Sequence, residues 1–350
     1  MRKLLKVSLY ALTALVVIVV AGLGYANRAY TDALKIADPP GIVWADYVPI
    51  GGIAQWVQIR GQNRENPVVL WLNGGPGFTT IPQTLFAKGW EQDFTLVMWD
   101  QRGEGLTYAK SGQTVADTMT IDHMTDDGIA VAEFLRSKLG KQKIILLGHS
   151  WGSILGVHMV RKRPDLFQLY VGTGQVTSLK QAVATGYTMV QDAARSANNE
   201  KALADLEEVG PPPYAEIEKT WVPIKWANEL DPRPQLTGRP SWAAIWALVG
   251  MASPTNLAGL QFSGERLLGQ MLDDDIEGTS SSFDVPVVFI QGAGDMVTPT
   301  VLSKAYFEKI AAPYKAFHVI DGAGHLALMR NSRQFIDIVK AEVPRAVAMP

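Results

Sequence analysis

The sequence predicts an α/β protein: a mostly parallel sheet with helices on both faces, an inserted helical lid, and a hydrophobic helix in front. Three observations carry that prediction. Short, wholly apolar runs recur along the chain, as parallel strands buried on both faces require. Helical patterns alternate with them, the mark of repeated strand–helix units. One long stretch, residues 174–282, breaks the alternation and offers helix-like segments only.

Taken in order, Met1-Arg-Lys-Leu-Leu-Lys6 is basic, and residues 7–27 carry no charge until Arg28. A bilayer core needs about 20 apolar residues as a helix, whereas the apolar centre of a cleaved signal has about 7–15, so length points to an uncleaved anchor. Gly24-Tyr25-Ala26 offers the small-x-small pattern of a cleavage site, and the alternative is release near Ala26 as a secreted or periplasmic protein. Arg2, Lys3 and Lys6 outnumber Arg28 across the segment, which places the folded part outside the cytoplasm on either reading. Residues 28–41 end in Asp38-Pro-Pro-Gly41 and read as a linker, because these prolines resist helix and strand alike.

The folded part begins at Ile42. Residues 42–48 and 53–60 flank Gly51-Gly52, a dipeptide suited to a tight hairpin, so the sheet opens antiparallel. Apolar runs at 68–72, 94–99, 144–147, 169–171, 287–290 and 317–320 supply the parallel strands, with helical patterns at 126–139, 153–163, 301–310 and 332–342. Residues 42–173 and 283–345 thus form the core. Residues 174–282, interrupted by Pro211-Pro-Pro213 and Pro232-Arg-Pro234, form a lid over the carboxyl ends of the strands, where open α/β sheets bind ligands.

Composition narrows the chemistry. The chain has 350 residues, 47% hydrophobic and 19% charged, which excludes disorder and suits one large domain with an insertion, or two domains. Lys and Arg number 32 against 34 Asp and Glu, so no basic field exists to hold nucleic acid. There is no cysteine, which removes thiol nucleophiles and thiolate metal sites. No phosphate-binding loop, dinucleotide fingerprint or metal-ligand spacing is present, so no cofactor and no metal are expected; Asp273-Asp-Asp275 reads as a solvated face. Hydroxyls, carboxylates and five histidines remain.

Gly148-His-Ser-Trp-Gly152 fits G-x-S-x-G, with an apolar strand leading in and a helical pattern leading out. That is a nucleophile elbow, and Ser150 is the candidate nucleophile. Its base must sit at another strand end. His123, His149, His158 and His318 fall in helical, elbow or strand positions, whereas His325 follows Gly322-Ala-Gly324 after the last strand. Asp295, in Gly292-Ala-Gly-Asp295, follows another strand and is the orienting carboxylate; Asp321 is the rival, too close in sequence to reach the far ring nitrogen. The order Ser150, Asp295, His325 is that of an α/β-hydrolase. Acyl transfer also needs donors for the developing oxyanion: the Trp151 backbone N–H, and Gly75 or Gly74 in the glycine-rich loop after residues 68–72.

Trp71-Leu-Asn-Gly-Gly-Pro-Gly77, Trp99-Asp-Gln-Arg-Gly-Glu-Gly105, Gly148-His-Ser-Trp-Gly-Ser153, Gly294-Asp295 and Gly324-His325 together resemble the proline iminopeptidase (prolyl aminopeptidase) family of α/β-hydrolases over most of residues 42–343. The resemblance implies Ser150 as nucleophile with Asp295 and His325, Trp151 and Gly75 as oxyanion donors, Asp100, Gln101 and Arg102 framing the site, and the insertion as a substrate-selecting lid. Asn73 stands where the family commonly has histidine. Where the family places an amine-binding glutamate after a tryptophan pair, Trp242-Ala-Ala-Ile-Trp246 is followed by Ala247, leaving Glu218, Glu229 and Glu265 as substitutes. The expected function is a serine hydrolase acting through an acyl-enzyme, most specifically an aminopeptidase on small peptides. The alternatives are a carboxylic ester hydrolase or lactonase, and an inactive binding protein of the same fold, which would lack a member of the triad.

Overall fold

The computed structural model describes residues 2–37, 39–79, 83–231 and 241–348. Among them an eight-stranded sheet runs β1 (Ile42–Ile50), β2 (Ile53–Gly61), β3 (Val68–Leu72), β4 (Thr95–Asp100), β5 (Ile144–His149), β6 (Phe167–Thr173), β7 (Val287–Gly292) and β8 (Lys315–Ile320) along the chain. In space the order is β1-β2-β4-β3-β5-β6-β7-β8. The two pairs made by β2 are antiparallel and the other five parallel. The opening hairpin turns on Gly51 and Gly52, both at positive φ, as a two-residue loop requires.

Every residue of β3, β4, β5 and β7 is buried, which is why these strands read as continuous apolar runs rather than alternating ones. Alternate side chains serve two separate cores: Val97 and Trp99 pack on one face, Leu96 and Met98 on the other. Helices flank the sheet in chain order: α1 (Arg2–Ala33), α2 (Gln83–Phe86), α3 (Gly105–Ser111), α4 (Ile121–Leu139) and α5 (Trp151–Lys162). After β6 come α6 (Leu179–Ser196), α7 (Glu200–Val209), α8 (Ile217–Glu229), α9 (Trp242–Met251), α10 (Pro254–Asp273) and α11 (Ile276–Thr279). The chain closes with α12 (Thr300–Lys309), α13 (Ala327–Arg330) and α14 (Ser332–Val347). Tyr187, Val190 and Ala194 of α6 meet Ala202 and Leu206 of α7 and Trp226 of α8 in a small third core.

One expectation needs correcting. Within the expected linker, residues 28–33 are helical: α1 continues to Ala33, and Leu34 is buried with its carbonyl accepting from Arg60 on β2. The helix ends at Ala33, before Pro39 and Pro40. Pro232-Arg-Pro234 lies outside the described residues.

Candidate active site

β5 ends at His149 and α5 begins at Trp151, so Ser150 alone makes the turn, at φ 55° and ψ −123°. Left-handed φ is rare for a residue with a side chain and costs on the order of 1–3 kcal/mol. Two interactions hold it there: the Ser150 N–H donates to the Thr173 carbonyl at 3.0 Å, and its own carbonyl accepts from the Ser153 hydroxyl at 2.6 Å. A Cβ on Gly148 would meet the Gly152 carbonyl at 2.7 Å, and one on Gly152 would run into the Leu72 carbonyl. The G-x-S-x-G spacing is therefore steric in origin.

Asp295 follows β7 and His325 follows β8, so the two converge from neighbouring strand ends. His325 Nδ1 lies 3.0 Å from Asp295 Oδ2. The same Oδ2 accepts from the Thr298 hydroxyl at 2.8 Å, and Oδ1 accepts from the Val297 and Thr298 N–H groups at 2.9 Å each. Burial alone would raise the Asp295 carboxyl, but the His325 charge and these hydrogen bonds outweigh it and hold the group below the usual carboxylate range. A carboxylate here fixes His325 with its proton on Nδ1, leaving Nε2 free to act as a base. Asp321 is exposed and makes no hydrogen bond to His325. Ser150 and His325 are not hydrogen-bonded to each other, as is common before substrate closes the geometry.

Two neighbours of the Asp295–His325 pair were not expected to support it: Thr298, and His149, which the sequence places in the elbow. Thr298 reaches both members of the pair, lying 3.2 Å from His325 Nδ1 as well. His149 stacks on His325 with ring centroids 4.9 Å apart, and its Nε2 lies 3.1 Å from the His325 carbonyl. Burial, and then the repulsion of His325, push the His149 imidazole down to about 3, so it is neutral and donates Nε2–H to that carbonyl. It ties the His325 loop to the elbow and is no base.

The glycine-rich loop after β3 packs on the elbow: a Cβ on Gly74 would lie 3.1 Å from the Ser150 Cβ, while Gly75, at φ 124°, lines the pocket that Ser150 and Trp151 also line. Beneath it Asn73 Nδ2 donates to Glu104 Oε1 at 2.9 Å. Burial, and then the nearby Asp100 charge, push the Glu104 carboxyl well above its usual range, which favours its protonated form. Glu104 Oε2 and Asn73 Oδ1 have no hydrogen-bond partner, so a protonated Glu104 would offer the donor that this buried pair lacks.

Of the other framing residues, Gln101 accepts from Trp151 Nε1 at 3.0 Å and Asp100 accepts from the Leu106 N–H at 2.8 Å, capping α3. Arg102 turns away from the pocket. Its guanidinium is buried against Asp127 at 2.9 Å and donates to the Gly51 carbonyl at 2.7 Å, tying the opening hairpin to α4.

The pocket over Ser150 is walled by α6, α8 and α10, through Leu179, Val183, Ile224 and Leu268 among others, and by Met296 and Val297. Among the described residues no Asp or Glu lines it. Glu218 and Glu265 share Gln261 at the surface, and Glu229 is exposed. Asp231, which sequence reasoning passed over, is the buried acid that the end of α8 brings beside Gly324, next to His325; it accepts from Arg330 at 3.0 Å. The Asp273–Asp275 run is dispersed, Asp273 on Lys180, Asp274 on His158 and Asp275 capping α11. Among the described residues no cluster of three or more His, Asp or Glu side chains has metal-site geometry.

A serine on the tight turn after β5, with a paired carboxylate and histidine at the ends of two later strands, is the geometry of an α/β-hydrolase. The chain belongs to the alpha/beta hydrolase fold family, matched over residues 67–332. It is 33% identical over 285 residues to the probable aminopeptidase YbaC of Bacillus subtilis (strain 168), covering 79% of this chain and 88% of that protein. It is 23% identical over 313 residues to the proline iminopeptidase of Clostridioides difficile (strain 630), covering 84% and 95%. Among solved structures, the proline iminopeptidase of Mycobacterium smegmatis shares the fold with a TM-score of 0.65 at 20% identity, over 87% of this chain and 99% of that one. The protein is thus an alpha/beta hydrolase related to aminopeptidases.

Proposed function

We propose that the protein is a serine hydrolase working through an acyl-enzyme, most specifically an aminopeptidase on small peptides, held on the outer side of the membrane by α1. The observation that carries the reading is the 3.0 Å contact from His325 to a buried, ionised Asp295 beside the strained Ser150 elbow. Ser150 Oγ attacks the acyl carbon as its proton passes to His325 Nε2. The oxyanion takes the N–H groups of Trp151 and Gly75, with Gly74 packed behind the elbow. The imidazolium then protonates the leaving amine, and water repeats the sequence to free Ser150. The lid helices shape the acyl pocket.

A second reading, carboxylic ester hydrolysis, is favoured by one feature: the apolar pocket wall holds no carboxylate to receive a substrate's free amine. Two measurements decide. Ser150→Ala should abolish turnover and labelling by a serine-directed fluorophosphonate; persisting label on the variant would sink the mechanism, and an unlabelled parent would favour an inactive binding protein. An aminopeptidase should prefer unblocked aminoacyl substrates to their N-acetylated forms by the worth of one charge-assisted bond, about 1.5–3 kcal/mol or roughly 10–150-fold. Equal rates would leave the esterase.

A further inference from the structure

Residues 241–264 contain no charged side chain, although part of the stretch lies at the surface. Within it α9 exposes Trp242 at 48%, Leu248 at 50% and Val249 at 44%, and α10 exposes Leu257 at 53%. Burying such side chains in the core would be unremarkable; leaving four of them together in water is costly at about 25 cal/mol per Å². The position of this surface explains it. α9 packs along α1, with Trp242 edge-on to Tyr25 at 5.5 Å between ring centroids and in contact range of Gly22.

Gly22 lies six residues before Arg28, the first charge after the apolar segment. At 1.5 Å per residue that is about 9 Å along the helix axis, inside the length that an anchored α1 devotes to lipid. Much of the remaining length is bare: Leu12, Leu15, Val17, Ile18 and Val20 are all more than half exposed. Trp242 therefore sits just inside the apolar–polar boundary, at the interfacial depth where tryptophan gathers in membrane proteins.

We propose that α9 and the start of α10 form a second membrane-seated element, in which Trp242, Leu248, Val249 and Leu257 enter the outer interface of the bilayer that α1 spans. The occupant of this face is lipid. Continuity with α1 selects it, because a soluble partner covering α9 would have to displace lipid from the same plane. The proposal rests on the anchored reading of α1. It also gives a meaning to the apolar groove beside α9, where Leu248, Met251 and Leu257 face Gly77, Phe78 and Thr79 of the oxyanion loop. A lipophilic substrate partitioned into the bilayer meets this groove without crossing water.

The absence of cysteine makes the test clean, since one introduced thiol labels one site. The full chain, reconstituted in phosphatidylcholine and phosphatidylglycerol vesicles, is labelled with an environment-sensitive fluorophore at Leu248→Cys, Val249→Cys or Leu257→Cys. Val17→Cys reports α1, and the exposed Val301→Cys on α12, at the far edge of the sheet, reports water. Nitroxide lipids should quench the α9 and α10 labels at a depth of about 5–10 Å, quench Val17 with the deepest nitroxide, and leave Val301 untouched. Val17 quenched while positions 248, 249 and 257 match Val301 would overturn the proposal and keep the anchor. Blue-shifted but unquenched labels at 248 and 249 would also overturn it, by showing that protein covers the face. An unquenched Val17 would remove the anchor and this proposal with it, while leaving the hydrolase reading intact.

Discussion

Asp295→Asn tests the centre of the mechanism with little change of shape. The carboxylate receives four donors: two backbone N–H groups on Oδ1, and the Thr298 hydroxyl and His325 Nδ1 on Oδ2. An asparagine oxygen keeps the first two, because Val297 and Thr298 offer only N–H there. The new amide then faces His325 with its NH2, so Nδ1 must become an acceptor and the proton moves to Nε2. Ser150 loses its base while the site keeps its volume. The closest precedent for this tautomer error costs about 10⁴ in rate, which is roughly 5.4 kcal/mol of barrier. Stopped-flow acylation with a chromogenic substrate should show a loss of that order, with melting temperature close to the parent's. A loss below tenfold would refute the argument, and the same loss from Asp321→Asn instead would move the orienting role to that residue.

Three further outcomes follow from the site. Thr298→Val keeps the shape but removes the hydroxyl from the Asp295–His325 pair, and should slow acylation by roughly 10–150-fold, the worth of one hydrogen bond to a charged group; an unchanged rate would make Thr298 a spectator. The His149 imidazole is held down to about 3 in the folded protein against about 6.5 unfolded, so the unfolded chain binds the extra proton first. Its contribution to stability is lost as pH falls between those values, by at most about 1.4 kcal/mol per unit, and His149→Asn should flatten denaturant midpoints over that window. Glu104 is the opposite case: its folded-state value is raised, so stability is lost as pH rises above the unfolded value near 4.5. Glu104→Gln, which supplies the amide donor that Asn73 Oδ1 lacks, should melt above the parent at pH 8 with kcat within about threefold. A lower melting point at that pH would mean that Glu104 is ionised.

The sheet was legible because its chemistry is repetitive. Strands buried on both faces have to be apolar throughout, and Val68–Leu72 or Val287–Gly292 admit no other reading. The elbow and the two strand-end residues were legible because sterics and proton transfer restrict them to a few residue types. What escaped was set by neighbours distant in sequence. Arg102 sits in a string that belongs to the site, yet its guanidinium is spent on Asp127 and on the Gly51 carbonyl, contacts decided by where α4 and the hairpin lie. Asp231 stands before Pro232-Arg-Pro234, a pattern that says where a helix stops and nothing about a site, and only the end of α8 brings it beside Gly324. The first residues of the linker were misjudged for a related reason: Pro39 and Pro40 say nothing about whether the turns well before them are helical and docked.

That docking changes how the hydrolase relates to its surroundings. α1 enters the domain as an unbroken helix, with Ala26 buried and the Leu34 carbonyl held by Arg60, which is itself paired with Glu91. A flexible tether would let the domain swing and sample a hemisphere around its foot. On the anchored reading proposed above, a welded helix works as a mast: tilt and rotation of the domain would follow those of α1, and the height of Ser150 over the bilayer would be a fixed property of the molecule. Inserting a glycine–serine spacer at Pro39 would leave that mast intact, because the weld at Arg60 lies upstream of it in space. Freeing the domain requires breaking the Arg60 contacts, and only then should activity stop depending on how far a substrate's scissile bond stands from the membrane.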